Sequence, residues 1–132
     1  MEDGMDASQC FACGPSNPRG LHLDFRKDEL GKWCAAWIPE AEFEGFRGIV
    51  HGGIVSTVLD ESMAKAVTGA GVQAFTVELR VRFRRQVQPG TALQIHGWVV
   101  EHDRRMYKTE AALATQDGAE LAHAWATFLV QR

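Results

Sequence analysis

Apolar and polar residues alternate along most of this chain, and the alternation breaks once. Leu21, Leu23 and Phe25 interleave with His22, Asp24 and Arg26, the period of a strand with one buried face. Gly31 closes a hairpin connection, and Lys32 to Ile38 predicts the partner strand, with Trp33, Ala35 and Trp37 on one face and Cys34, Ala36 and Ile38 on the other. Pro39 stops it. Phe75 to Phe83, Ala92 to Glu101, Tyr107 to Thr115 and Glu120 to Val130 repeat the two-residue period. Between them stand Gln88-Pro89-Gly90, the charged stretch Glu101 to Arg105, and the turn Gln116-Asp117-Gly118.

Between Ile49 and Thr68 the period lengthens. Ile54, Val55, Val58, Leu59, Met63 and Ala66 fall on one stripe at helical spacing, and Gly69-Ala70-Gly71 supplies the stop, so a helix is predicted over roughly His51 to Thr68. One long helix beside about six antiparallel strands is an α+β arrangement. Before the first strand, Cys10 to Gly20 is dense in turn formers and predicts an ordered loop, so that residues 1–20 cap a single domain spanning 1–132.

Composition narrows the function classes. The 132 residues are 45% hydrophobic and 23% charged, enough apolar surface for one core and too little length for two. The net charge of −3 argues against bulk electrostatic binding to nucleic acid, although six Lys or Arg face eleven acids in residues 1–66 and eight face six in the rest. No run of eighteen apolar residues occurs, and Glu2, Asp3 and Asp6 stand where a signal peptide would be basic, so neither membrane insertion nor secretion is expected. Three cysteines, two of them separated by only two residues, do not make a disulfide framework and point to a reducing cytoplasm. Cys10 and Cys13 with Cys34 or His22 form a zinc-type donor set, but one Cys-x-x-Cys lacks the second pair of a structural site, so no metal and no cofactor are expected.

Chemistry concentrates on the helix. The chain has no Gly-x-Ser-x-Gly elbow, no His-Glu-x-x-His and no phosphate loop, and Gly69-Ala70-Gly71 follows the helix instead of opening it. His51-Gly52-Gly53 remains at the helix start. Two glycines there cost about 1 kcal/mol each relative to Ala. Either they let a ligand carbonyl approach the free N–H groups of the first turn, or they only let the helix start pass close to a strand. Of the acids in the middle, Glu61 stands four residues before Lys65, the spacing of a surface ion pair, whereas Asp60 has no cation within a turn and lies almost opposite the apolar stripe. A carboxylate of that kind suits a pocket or a partner surface, where desolvation raises its pKa toward that of a useful base; a plain exposed Asp is the other reading. His51 and Asp60 are about 13.5 Å apart along the helix and on opposite faces, so a reaction using both needs two subunits.

The run Gly48-Ile49-Val50-His51-Gly52-Gly53-Ile54, Asp60 nine positions after His51, and Thr76-Val77-Glu78-Leu79-Arg80-Val81-Arg82-Phe83 together resemble the hotdog-fold acyl-CoA thioesterases of the phenylacetyl-CoA and hydroxybenzoyl-CoA thioesterase type. The leader Cys10-Phe11-Ala12-Cys13-Gly14, with Asn17-Pro18 and Gly20-Leu21, is similar to the start of a subgroup of them. The resemblance implies one antiparallel sheet wrapped around the helix. It implies that the Gly52 N–H polarises a thioester carbonyl, that Asp60 of the neighbouring subunit is nucleophile or general base, that Thr76 helps hold the water, and that His51 orients the thioester or the loop. Gly53 and Gly45 would border the substrate. Many relatives carry Asn where this chain has Gly45, which removes one hydrogen-bonding side chain.

Arg80, Arg82, Arg84 and Arg85 either meet the phosphates of coenzyme A or form a solvated, tetramer-forming outer face, and the second is favoured. The four Trp are read as core and interface residues. The leading expectation is therefore an acyl-CoA thioesterase acting as a homodimer or a dimer of dimers, with acyl-CoA as partner and neither nucleic acid nor membrane. The alternatives are a non-catalytic acyl-CoA-binding module and, disfavoured by charge, a small zinc-bearing nucleic-acid protein.

Overall fold

A computed structural model describes residues 6–131, so Glu2 and Asp3 of the acidic leader lie outside the described residues. The elements are β1 (Arg26–Lys27), β2 (Trp33–Trp37), α1 (Gly52–Gly69), β3 (Ala74–Phe83), β4 (Leu93–His102), β5 (Met106–Thr115) and β6 (Glu120–Val130), with a 3₁₀ turn at Ala41–Phe43. The strands form one sheet in the order β1-β2-β4-β5-β6-β3, and every pairing is antiparallel. Among the described residues no helix is long and apolar enough to cross a membrane.

The sheet curls around α1, which contacts β2, β3, β4, β5 and β6. Val55, Val58, Leu59, Met63 and Val67 leave the helix fully buried against Ile95, Leu113, Ala124 and Phe128 of the strands, each such side chain contributing about 1.5–3 kcal/mol. The helix comes closest at Gly97 of β4. A Cβ there would lie 2.4 Å from the Ser62 carbonyl oxygen, so glycine in this strand is the condition for the helix to sit on the sheet. Ser62 itself is fully buried and satisfied, its hydroxyl donating to the Leu59 carbonyl at 2.7 Å.

The predicted strand over Leu21 to Phe25 is corrected. Leu23 and Phe25 are buried and His22 and Asp24 exposed, as the alternation requires, but only Arg26–Lys27 joins the ladder. His22 adopts φ 54°, a left-handed backbone that no strand can pass through, and its ring Nε2–H donates to the Asn17 carbonyl at 2.6 Å. The Leu21 and Leu23 N–H groups donate instead to the carbonyls of Phe11 and Ala12, at 2.7 and 2.9 Å, which ties the Cys10 to Gly20 loop to the body of the protein.

Among the described residues β3 occupies one edge of the sheet and pairs only with β6. Its apolar side chains Phe75, Val77, Leu79 and Phe83 are 38–51% exposed, interleaved with the exposed Glu78, Arg80 and Arg82.

Candidate active site

The helix start is built around His51. Its Nδ1 accepts the Gly53 N–H at 2.9 Å, making the imidazole the N-cap of α1. The preceding residues fold back so that Gly45 lies against it, where a Cβ would be 3.3 Å from His51 Cα. The Gly53 N–H is thereby used, and a Cβ at Gly53 would press on His51 Nδ1 at 3.1 Å. The Gly52 N–H has no hydrogen-bond partner among the described residues. It opens between two clefts. One of about 370 Å³ is lined by Ile49, Val55, Phe83, Arg84 and Gln86, and one of about 450 Å³ by Gly45, Phe46 and His51. Phe83 flanks Gly52 directly: a Cβ on Gly52 would meet its ring at 3.5 Å. Phe46, 84% exposed at the second cleft, has no periodic signal in the sequence and was not singled out there.

Asp60 lies two and a half turns further along and lines neither cleft. It is half-buried, its Oδ1 accepts the Thr76 hydroxyl at 2.7 Å, and no ion pair reaches it among the described residues. Burial raises its pKa above the ordinary value of 3.8, and the Thr76 hydrogen bond opposes that rise. Within one chain, then, the structure joins Asp60 to Thr76 and His51 to Gly53 and Gly45, and keeps the two groups apart.

Glu61 departs from its expected pairing with Lys65, which the described residues do not show. It turns toward the N-terminal loop, where Cys10 Sγ lies 3.8 Å from its Oε1. Burial, and then the adjacent Glu61 carboxylate, push the Cys13 thiol up to about 12. The sequence-based donor set is likewise rearranged, because Cys34 sits beside Asp28 and His96 while His22 is bonded to Asn17.

Arg80 and Arg82 point away from the helix. Arg80 stacks on Trp125, 4.5 Å from the ring centroid, within an outer-face group where His123 contacts both Trp98 and Trp125. Arg84 lines the first cleft and bonds Glu120 at 2.9 Å. Trp37 is buried in the core, and Trp33 packs under Gly69.

Comparison with known proteins gives a consistent family. Residues 47–122, which include His51, Gly52, Asp60 and Thr76, match the sequence profile of the thioesterase superfamily. No curated protein matches the chain. Among solved structures, a thioesterase superfamily protein aligns at TM-score 0.83 and 23% identity over 89% of this chain, which spans 61% of that protein's length. A Streptococcus mutans protein bound to acetyl CoA aligns at 0.77 and 22%, over 83% of this chain and 88% of its own. A phenylacetic acid degradation-related putative thioesterase of Ralstonia eutropha aligns at 0.74 and 28%, over 83% and 86%. With more than half of its length inside the family profile, and with the hotdog architecture of one antiparallel sheet wrapped on one helix, the chain belongs to the thioesterase superfamily.

Proposed function

We propose that this protein hydrolyses acyl-CoA thioesters at a site shared by two copies of the chain. The observation that carries the proposal is the arrangement of β3. Thr76, bonded to Asp60, stands near one end of this edge strand, which has no neighbour on its outer side among the described residues, and Phe83, packed on Gly52, stands at the other. Two copies pairing antiparallel through β3, about a two-fold axis between Leu79 and Arg80, oppose Thr76 of one to Phe83 of the other. That register brings each Asp60 toward the helix start of its partner.

In such a site the Gly52 N–H holds the thioester oxygen and Asp60 faces the carbonyl carbon. As general base, Asp60 takes a proton from water. The resulting hydroxide adds to the carbonyl, the oxyanion rests on the Gly52 N–H, and as it collapses the carbon–sulfur bond breaks, the departing thiolate taking the proton from Asp60 to leave as coenzyme A beside the free acid. As nucleophile, Asp60 would form an acyl anhydride that water then opens. Thr76 holds one carboxylate oxygen and leaves the other for this work. His51 keeps the loop and the helix start in place, and Gly45 and Gly53 keep the approach open. Arg84, which lines the cleft at Gly52, supplies a cation for the phosphates, while Arg80 and Arg82 stay on the outer face. The acetyl CoA bound to the Streptococcus mutans relative supports the choice of ligand.

Gly45, which brings no side chain to the site, favours a second reading as an acyl-CoA-binding module without turnover. The two separate in one experiment. A panel of aliphatic and aromatic acyl-CoA esters is assayed for free thiol, with binding measured in parallel and mass by light scattering. Thiol release from a dimer or larger supports the proposal. Binding without release selects the second reading, and release by a monomer removes the shared site.

A further inference from the structure

The N-terminal loop and the helix meet in a group of donor atoms that the proposed hydrolysis does not use. Cys10 Sγ, Cys13 Sγ and a Glu61 carboxylate oxygen all lie within 4.8 Å of one another, and all three side chains are half-buried. Two features hold the thiols in place. Gly14 N–H donates to the Cys10 carbonyl at 2.8 Å, closing a tight Cys-x-x-Cys-Gly turn in which a Cβ on Gly14 would lie 2.3 Å from Cys10 N and 2.5 Å from the Ser8 carbonyl oxygen. The two residues between the cysteines, Phe11 and Ala12, are fixed by the Leu21 and Leu23 N–H groups. The third donor comes from the middle of α1, a rigid element.

We infer that Cys10, Cys13 and Glu61 bind a divalent ion of the zinc class, with one coordination position left open. Two thiolates and a carboxylate form a donor set zinc accepts, and tetrahedral geometry at its usual bond lengths separates a sulfur from an oxygen ligand by about 3.6 Å. The distance from Cys10 Sγ to Glu61 Oε1 is already 3.8 Å. Thiolate ligands favour zinc or cobalt over magnesium or calcium. Glu61 makes no ion pair with Lys65 or any other cation among the described residues, so no salt bridge competes for its carboxylate. The ion would join the N-terminal loop to the helix one residue from Asp60.

The full chain, purified reduced and without chelator, is loaded with zinc, dialysed and measured for metal per chain. Cobalt is then substituted and its spectrum recorded. Retention of about one zinc per chain is expected, with the visible bands of tetrahedral cobalt and a near-ultraviolet thiolate charge-transfer band. Cys10→Ser with Cys13→Ser should lose the metal, Glu61→Gln should hold it at least tenfold more weakly, and Cys34→Ser should keep it. No retained zinc in the reduced wild type overturns the inference. So does zinc that survives the double variant but is lost with Cys34→Ser, which would place it at the separate Asp28, Cys34 and His96 group. If the double variant does not fold, the wild-type cobalt spectrum decides alone: a spectrum without thiolate charge transfer refutes the site.

Discussion

Asp60 and Glu61 are consecutive acids on α1, yet a turn of about 100° per residue hands them to different parts of the molecule. Asp60 faces the β3 edge, where it meets one hydroxyl and, among the described residues, no cation. Glu61 faces the N-terminal loop, where it meets two thiols. The first environment is costly to the folded state, since burial disfavours the charged carboxylate and a single hydrogen bond from Thr76 only partly offsets it. The second joins two segments of chain. A carboxylate whose charge burial disfavours, beside a strand edge, is the one assigned in the proposal to chemistry shared with a second subunit; the one that meets the loop is assigned to architecture.

Asp60→Asn should break the pair apart most strongly. It keeps the shape and removes the proposed base or nucleophile, so thiol release should fall by about 10²- to 10⁴-fold while ligand binding persists. Its stability should move the opposite way. A carboxyl whose pKa is higher folded than unfolded binds its proton more tightly in the native state, so its contribution is most favourable at low pH and is lost as pH rises from 3.8 through the folded value. At pH 7 the Asn variant should therefore melt above wild type, with the gap closing as pH falls toward 3.8. A variant that is both inactive and less stable at pH 7 would indicate damage to the helix.

Gly52→Pro tests the other end of the site. Proline is at home in the first helical position, and His51, at φ −57° and ψ 134°, already has the extended backbone that a residue before proline prefers. The substitution removes the N–H with little change to the fold, and a loss of about 10²- to 10³-fold is expected in thiol release. Mixed with Asp60→Asn, it should recover activity. With random exchange, half the dimers are mixed and each holds one intact site, so about one quarter of wild-type turnover should return. No recovery in a mixture shown to exchange subunits would confine the site to one chain.

Local pattern carried far into the fold. The period of two placed β6 at Glu120–Val130, and the helical stripe placed α1 within a residue at each end. Pairing was not legible, because alternation says which face is buried but not which strand lies next door. Nothing in Phe75 to Phe83 shows that β3 ends the sheet beside β6, the fact on which the edge argument depends. His51 as N-cap was missed because histidine is not among the common capping residues, although its distance of two residues from Gly53 is a capping distance. Glu61 was misread because its partners are about fifty residues away in sequence, and only tertiary packing could outweigh the local claim of Lys65. The unpaired state of Asp60 was legible from the residues themselves, through the absence of any cation within a turn, whereas its bond to Thr76 was not.

Thr76→Val sharpens the account of Asp60. Losing the hydroxyl removes the one contact that lowers the Asp60 pKa, so the acidic limb of the pH–rate profile should move to higher pH; losing the hydrogen bond that orients the carboxylate should separately lower turnover by roughly tenfold. Thr76→Ser should restore both. An unshifted limb would mean that another group controls the profile.

Glu61→Gln carries the smallest expected change in turnover. It keeps the size of the side chain and touches no reacting group, so thiol release should change by roughly two- to threefold at most. Its effect should appear in how the N-terminal loop is held, as faster proteolysis within Cys10 to Gly20 and a lower melting temperature, both read on the same samples as activity. The value of the measurement lies in its neighbour. Any disturbance of the middle of α1 passes to both acids, whereas loss of a base at Asp60 cannot be produced by altering Glu61. If Glu61→Gln were as inactive as Asp60→Asn, the assignment of chemistry to one face of the helix and architecture to the other would fail. If it were inactive only after the loop had been cleaved, the loop would be shown to hold Asp60 in place.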